Sequence, residues 1–157
     1  MPPISRRAAL SLGLVFVLAA CGTRTPAPTL VQSGGLYPGE TPELRALIES
    51  YAAEYDIPVT LLHRVIKRES NYNPRARNGA YWGLMQIMPE TARTMGHRGP
   101  ASDLLNPEIN LRYAAKYLRG AWLVADGSED RAVMWYARGY YYEAKRRGLL
   151  YATGLRS

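Results

Sequence analysis

The chain has 157 residues, 47% of them hydrophobic and 21% charged, a composition typical of one folded domain rather than of a disordered chain. Its single cysteine excludes an intrachain disulfide framework and a cysteine-rich metal cluster, and no metal-ligand spacing joins its two histidines, so we expect neither a metal nor a cofactor. Twenty Lys and Arg residues stand against 13 Asp and Glu, a formal net charge of +7, which points to an acidic partner.

The first 20 residues are typical of a secretory signal peptide. A basic start at residues 5–7 precedes an almost uninterrupted apolar run at residues 8–20, which is too short to span a bilayer as a helix. The sequence Leu-Ala-Ala-Cys at residues 18–21 resembles a bacterial lipobox, in which the cysteine is lipidated and becomes the first mature residue. We therefore expect export, by a Sec or a twin-arginine route, and a lipid anchor on Cys21 at the periplasmic face of the outer membrane. The alternative is an incidental free cysteine.

A change of composition divides the rest of the chain in two. Residues 21–40 are rich in Thr, Pro, Gly and Ser and show no apolar periodicity, so we expect a flexible tether attached to the lipid. From Thr41 onward the pattern is helical, and residues 41–157 are the predicted catalytic domain.

The domain is predicted to be mainly helical. Thr41 and Pro42 form a typical helix start, with an N-cap hydroxyl followed by proline at the first helical position. Further helices are predicted from about Pro58, at residues 89–93, from Asn106, and from about Asp130 with a break near Gly139. Because no alternating run demands a large sheet, at most a small hairpin is expected, around residues 83–88.

Glu69 occupies a position where the second helix should carry an apolar residue. The apolar stripe of that helix consists of Leu62, Val65 and Ile66. Burial disfavours the charged carboxylate, and the negative end of the helix dipole acts in the same direction, so both raise the pKa. A carboxyl that stays protonated near neutral pH is suited to general acid catalysis. The alternative is a glutamate neutralised by Lys67, Arg68 or a more distant arginine.

Three motifs around Glu69 occur in an order and spacing that are hard to obtain by chance. Glu69-Ser70 is followed by Gly-Leu-Met-Gln-Ile-Met-Pro-Glu-Thr-Ala at residues 83–92 and by Asn106-Pro107. Over about residues 58–139 the chain resembles the soluble-type lytic transglycosylases, whose catalytic domain is similar to goose-type lysozyme. The resemblance implies a compact lysozyme-like helical domain.

The resemblance also implies a peptidoglycan lytic transglycosylase with one catalytic carboxyl. Glu69 matches the acid/base that protonates the β-1,4 glycosidic oxygen between N-acetylmuramic acid and N-acetylglucosamine. It then helps the muramic C6 hydroxyl attack its own anomeric carbon, so a 1,6-anhydro end forms and no water is consumed. Gln86 and Met88 match residues lining the glycan groove. Asn78 lies near the position of a polar contact to the acid, and Tyr136 matches a tyrosine that contacts the carboxyl or the substrate.

A single carboxyl is chemically sufficient for this reaction. Ordinary glycosidases use a pair, of which the second is the nucleophile or the water-activating base, whereas here the sugar supplies its own nucleophile. Asp103 and Glu90 lie near the motifs, but each sits at a helix start, where a stabilising charge is the commoner reason for an acidic residue. Trp82 is a candidate for stacking on a sugar ring, while Tyr140–Tyr142 are expected to pack.

The chain departs from the family pattern at residues 135–139. The family has Ala-Tyr-Asn-Ala-Gly there, and this chain has Trp-Tyr-Ala-Arg-Gly. Ala137 removes an amide, and Arg138 adds a charge that could face Glu69 or a peptide stem. A cation near Glu69 would favour its ionised form and weaken it as an acid.

Two other functions stay open at this point. One is a hydrolytic muramidase on the same fold, and the other is a non-catalytic peptidoglycan-binding lipoprotein. Nucleic acid is not an expected partner, because no nucleic-acid motif is present and an exported chain rarely meets it. The oligomeric state is open, as are endo or exo cleavage and the biological context.

The positive charge concentrates in the last 27 residues, which hold six basic residues against Glu143 alone. This segment is either a solvated basic face or a surface that attracts anionic wall polymer, peptide-stem carboxylates or phospholipid heads.

Overall fold

The computed structural model describes residues 35–156, so the predicted signal peptide, Cys21 and most of the predicted tether lie outside the described residues. The described part contains six α-helices, one 3₁₀ helix and one two-stranded hairpin, as the sequence predicts for a mainly helical domain. The elements are α1 (Pro42–Glu54), α2 (Val59–Ser70), β1 (Arg77–Asn78), β2 (Tyr81–Trp82), α3 (Pro89–Thr94), the 3₁₀ helix (Ala101–Leu105), α4 (Pro107–Val124), α5 (Glu129–Arg138) and α6 (Tyr141–Arg146). None of the helices in residues 35–156 combines the length and apolar character needed to cross a bilayer.

The predicted start of α1 is confirmed. Pro42 opens the helix, and the hydroxyl of Thr41 accepts a hydrogen bond from the amide of Leu44 at 3.2 Å. The cap satisfies one of the amide groups that have no partner at a helix start. On the buried face of α1, the side chains of Leu44 and Ile48 pack in the core.

Helix α4 is the central element, and it contacts α1, α3, α5 and the 3₁₀ helix. The side chain of Asn106 caps it by accepting from the amides of Glu108 and Ile109. Its buried face alternates large and small residues, namely Leu111, Ala114, Ala115, Leu118, Gly120 and Ala121. The small residues allow close approach: a Cβ at Gly120 would overlap the ring of Tyr140, whose hydroxyl donates to the carbonyl of Tyr117 at 2.8 Å. Tyr140 is thus a packing residue, as predicted, whereas the same prediction is wrong for Tyr141 and Tyr142, which are 47% and 83% exposed.

The hairpin lies before the predicted position. Strands β1 and β2 pair antiparallel with Arg77 opposite Trp82, and residues 83–86 form a turn rather than a strand. Gly83 has a φ of +74° and Gln86 a φ of +49°, which extended strands do not tolerate. Trp82 pairs again with Ile87 beyond the turn. The motif at residues 83–92 therefore forms a tight loop followed by α3.

The residues just before α1 contact the domain through polar and aromatic side chains. The buried carboxylate of Glu40 accepts two hydrogen bonds from the guanidinium of Arg45, at 2.7 and 2.6 Å, and one from the amide of Tyr37. The Tyr37 ring stacks on Tyr72 at 5.4 Å. The last residues of the predicted tether are therefore anchored to the domain by polar and aromatic contacts, which leave no apolar periodicity in the sequence.

Candidate active site

Glu69 lies in the last turn of α2, one residue before the helix ends. Its side chain is 22% exposed, and burial raises the pKa of the carboxyl above its ordinary value. The guanidinium of Arg68, with Nε 3.6 Å from Oε1, acts in the opposite direction and lowers the pKa, but the effect of burial is larger. The partial burial of Glu69 and the upward shift of its pKa are those that the apolar stripe of α2 predicted.

Glu69 lines a cavity of about 620 Å³ between the end of α2, the hairpin and α5. A second cavity of about 260 Å³ lies on the side of α3 and the end of α5. The two cavities have four lining residues in common, which are Tyr81, Gln86, Tyr136 and Ala137. The two cavities therefore adjoin at these residues, and together they are called the groove below. Glu69 is the only carboxylate that lines either cavity within residues 35–156.

Ser70 fixes helix α2 to the loop beside the groove. Its hydroxyl donates to the carbonyl of Leu84 at 2.6 Å, and the carbonyl of Ile66 lies 3.4 Å away. The following residue, Asn71, ends α2 in the left-handed conformation, with a φ of 48°. Glu69 is therefore followed directly in the sequence by the residue that holds the loop in place.

Asn110 holds the loop from the other side. This fully buried side chain on α4 donates to the carbonyls of Trp82 and Leu104, at 2.9 and 2.8 Å, and accepts from the amide of Met85 at 2.9 Å. Gly83 passes so close that a Cβ there would overlap the Leu104 carbonyl and the Asn110 amide. No role was assigned to Asn110 from the sequence, although an amide on the apolar stripe of α4 was a signal for one.

Gln86 is a wall of the groove and a brace for its loop. Its side-chain nitrogen donates to the carbonyls of Ala76 and Gly83, at 3.1 and 2.8 Å. Both amide hydrogens are thus committed to the backbone, and the side-chain oxygen is left to accept from a ligand.

Tyr136 is buried on α5 between the groove and the core. Its hydroxyl donates to the carbonyl of Met85 at 2.9 Å, so its hydrogen is directed at the loop and not at Glu69. Burial raises the pKa of Tyr136 well above its ordinary value, and the nearby Glu69 carboxylate raises it further. Tyr136 is therefore a neutral phenol beside the acid.

The other predicted groove residues are placed differently from one another. Asn78 is exposed on β1 and lines the larger cavity, and Met88 lines the smaller one. Trp82 lines neither cavity, and the guanidinium of Arg77 lies over its ring, 3.6 Å from the centroid. Its neighbour Tyr81, which was not singled out from the sequence, is 46% exposed and lines both. Because adjacent residues of a strand point to opposite faces, only one of the two aromatics faces the groove.

The remaining carboxylates near the motifs lie outside the groove. Glu90 is exposed in the first turn of α3, 3.8 Å from Arg93. Asp103 belongs to the 3₁₀ helix and lies 3.7 Å from the ring of His97. Both positions agree with the stabilising roles considered from the sequence.

The departure at residues 137–138 falls on the groove. Ala137 lines both cavities and Arg138 lines the smaller one. The cation within ion-pair distance of Glu69 is Arg68, whereas a guanidinium nitrogen of Arg138 lies 4.0 Å from the sulfur of Met134. Arg138 therefore belongs to the far end of the groove.

Comparison with known proteins places the whole site inside one family. The model of the transglycosylase SLT domain matches residues 46–150. The peptidoglycan transglycosylase gp16 of Escherichia phage T7 is 35% identical over 97 residues, which are 59% of this chain and 7% of that protein. A transglycosylase of Enterobacteria phage PRD1 is 34% identical over 73 residues, which are 46% of this chain and 26% of that protein. The chain thus spans a small part of these relatives. With the family model covering the helical domain from α1 to beyond α6, the chain belongs to the transglycosylase SLT domain family.

Proposed function

We propose that the protein is a peptidoglycan lytic transglycosylase that uses Glu69 as its single acid/base. The observation that carries the proposal is the position of Glu69: a partly buried carboxyl with a raised pKa and, within residues 35–156, the only carboxylate that lines the groove. A protonated carboxyl without a partner carboxylate suits a reaction in which the substrate supplies the nucleophile. Peptidoglycan is the substrate named for the phage T7 relative.

In the first step Glu69 donates its proton to the glycosidic oxygen. The bond from this oxygen to the muramic anomeric carbon breaks, and N-acetylglucosamine leaves with a free 4-hydroxyl. Glu69, now a carboxylate, takes the proton of the muramic C6 hydroxyl while O6 bonds to the anomeric carbon. The 1,6-anhydro end forms, Glu69 is protonated again, and no water enters the balance.

Tyr136 supports the acid form of Glu69. Because its hydrogen is committed to the Met85 carbonyl, the phenol offers its neighbour only a lone pair. A lone pair accepts a hydrogen bond from a protonated carboxyl and repels a carboxylate. Tyr136 therefore acts as a positioning residue that favours the proton-donating state before the bond breaks.

The other groove residues hold the sugar. Tyr81 presents an exposed ring that is available for stacking, a role first considered for Trp82. Gln86 offers its side-chain oxygen to a sugar hydroxyl. Asn78, which lines the same cavity as Glu69, and Met88, which lines the smaller cavity, contact different parts of the strand.

We also propose that the protein acts outside the cytoplasm, since peptidoglycan lies there. The signal peptide of residues 1–20 and lipidation of Cys21 would place the domain at the outer membrane.

The test is the structure of the cleaved ends. Purified sacculi are digested with the wild-type protein, with Glu69→Gln and with the matched control Glu90→Gln, and the fragments are analysed by mass spectrometry. We expect anhydromuramic ends from the wild type and from Glu90→Gln, and none from Glu69→Gln. Reducing ends from the wild type would instead identify a hydrolytic muramidase. The absence of any product from folded wild-type protein would favour the non-catalytic binding protein.

A further inference from the structure

A second cleft, of about 520 Å³, shares no lining residue with the groove. It lies between the end of α3, the outer face of α4 and the turns that follow α6. Its walls carry four cations and two aromatic rings, namely Arg98, Lys116, Arg119, Arg156, Tyr55 and Tyr151, and we call it the basic cleft. No carboxylate lines it within the described residues. A concave site lined by one sign of charge concentrates oppositely charged ligands.

The cations of the basic cleft are held mainly by backbone carbonyls. Lys116 donates to the carbonyl of Met95 at 2.9 Å, and Arg98 donates to two backbone carbonyls. Arg119 lies 3.6 Å from the carboxylate of Asp56, which is 91% exposed and therefore neutralises it weakly. Carbonyls orient these side chains without cancelling their charge. The cleft is thus preorganised and still positive.

This placement differs from the one that the sequence suggested. In the C-terminal segment, Arg146 forms an ion pair with Glu143 at 2.7 Å, and Arg147 forms one with Asp126. These two charges are locally matched, whereas Arg156 joins cations that come from distant parts of the chain. Two of the three consecutive basic residues at the end of α6 are therefore paired, while the cleft brings together cations from separate parts of the chain.

We propose that the basic cleft is a second binding site, separate from the groove, for the carboxylate groups of the peptide stems of peptidoglycan. The proposal rests on the function proposed above, which names the polymer. Guanidinium groups match carboxylates in planar, two-bond geometry. The exposed ring of Tyr151, at 68%, supplies an apolar face for the aliphatic part of a stem. A concave wall also suits a strand or peptide better than a flat bilayer, which could not reach all four cations.

The test is binding of the full chain in the Glu69→Gln background, in which cleavage cannot alter the ligand. We expect Arg119→Gln with Arg156→Gln to weaken binding to intact sacculi about three- to tenfold, and to make binding less sensitive to salt. On sacculi whose stems have been removed by an amidase, the parent should bind as weakly as the variant. Lys145→Gln with Arg146→Gln on α6 is the control, because it removes the same charge without touching the cleft.

The proposal is wrong if cleft and control variants lose affinity equally, because net charge alone would then explain binding. It is equally wrong if the cleft variant matches the parent on intact sacculi. Arg156→Gln alone is the second variant. The exposed side chain of Arg156 makes no hydrogen bond or ion pair in the described residues, so a loss of affinity in this variant cannot be attributed to a folding defect. If the proposal for the basic cleft fails, mass spectrometry of the cleaved ends, which tests the proposed function, is not affected.

Competition identifies the chemistry of the ligand. A soluble stem peptide with free carboxylates should displace the protein from sacculi, whereas its amidated form should not. Displacement by inorganic phosphate but not by the stem peptide would overturn the assignment to carboxylates. Binding to anionic lipid vesicles that is lost with the cleft variant, with no effect of that variant on sacculi, would overturn the assignment to the wall.

Discussion

Replacing Asn110 with alanine should unfasten the loop that forms one side of the groove. The asparagine side chain is fully buried and makes three hydrogen bonds, to the carbonyls of Trp82 and Leu104 and from the amide of Met85. Alanine leaves all three backbone groups without this side-chain partner. Since each buried group left without a partner costs about 1 kcal/mol or more, we expect a loss of about 3 kcal/mol in the free energy of unfolding.

The matched control is Asn106→Ala on the same helix. Asn106 is the N-cap of α4 and bonds the amides of Glu108 and Ile109 near the surface, so its loss should cost about 1 kcal/mol. Asn110→Asp is an intermediate case, because it keeps the oxygen that accepts from Met85 and loses the amide that donates to the two carbonyls.

Urea unfolding followed by circular dichroism measures these differences. For a domain of this size, a loss of about 3 kcal/mol corresponds to a fall in the melting temperature of about 10 °C. Asn110→Ala should also lose activity below its melting temperature, because the loop carries Gln86 and the acceptor of Tyr136. The reasoning would be refuted if Asn110→Ala were no more destabilising than Asn106→Ala.

Three further substitutions test the site and its support. Glu69→Gln should stabilise the protein at neutral pH but not at about pH 3. The native state keeps the proton of the Glu69 carboxyl to a higher pH than the unfolded chain does. The stability of the wild type therefore falls as the pH rises above 4.5, the ordinary pKa of a glutamate. A pH-independent difference in thermal melts would contradict this. Tyr136→Phe loses the bond to Met85 and should cost about 1 kcal/mol. Because it removes a group that favours protonated Glu69, the alkaline limb of the pH–rate profile, on which Glu69 loses its proton, should move to lower pH; an unmoved profile would leave only a structural role. Gly83→Ala should cost more than about 2 kcal/mol in urea unfolding, since a Cβ meets the Leu104 carbonyl at a positive φ; a near-neutral result would show that the loop yields.

Local chemistry determined the elements that the sequence predicted well. Thr41 with Pro42 and Asn106 with Pro107 each combine a side-chain cap with a fixed φ, and both helices start there. Glu69 stands out in the sequence because one carboxyl interrupts an apolar stripe and motifs follow it closely, and its partial burial agrees with the stripe. Such signals lie within a few residues of one another, so the chain alone reveals them.

Contacts between distant residues determined what the sequence did not predict. Asn110 lies 25 residues from Met85, and no local pattern indicates which backbone groups it satisfies. The sequence indicates Trp82 as a candidate for stacking but does not indicate that Tyr81 lines both cavities, because the face that each residue of a two-residue strand presents depends on the pairing of β1 with β2. The contact that Tyr37 makes is of the same kind, because its ring stacks on Tyr72, which is distant in the sequence.

The most direct test of the account is digestion of sacculi by the wild-type protein in water enriched in oxygen-18. If Glu69 takes the proton of the muramic C6 hydroxyl and O6 attacks the anomeric carbon, the new muramic ends are lighter than reducing ends by one water and carry no label. Reducing ends that carry oxygen-18 would show that water attacks the anomeric carbon, and would contradict the one-carboxylate transglycosylase mechanism proposed for this protein.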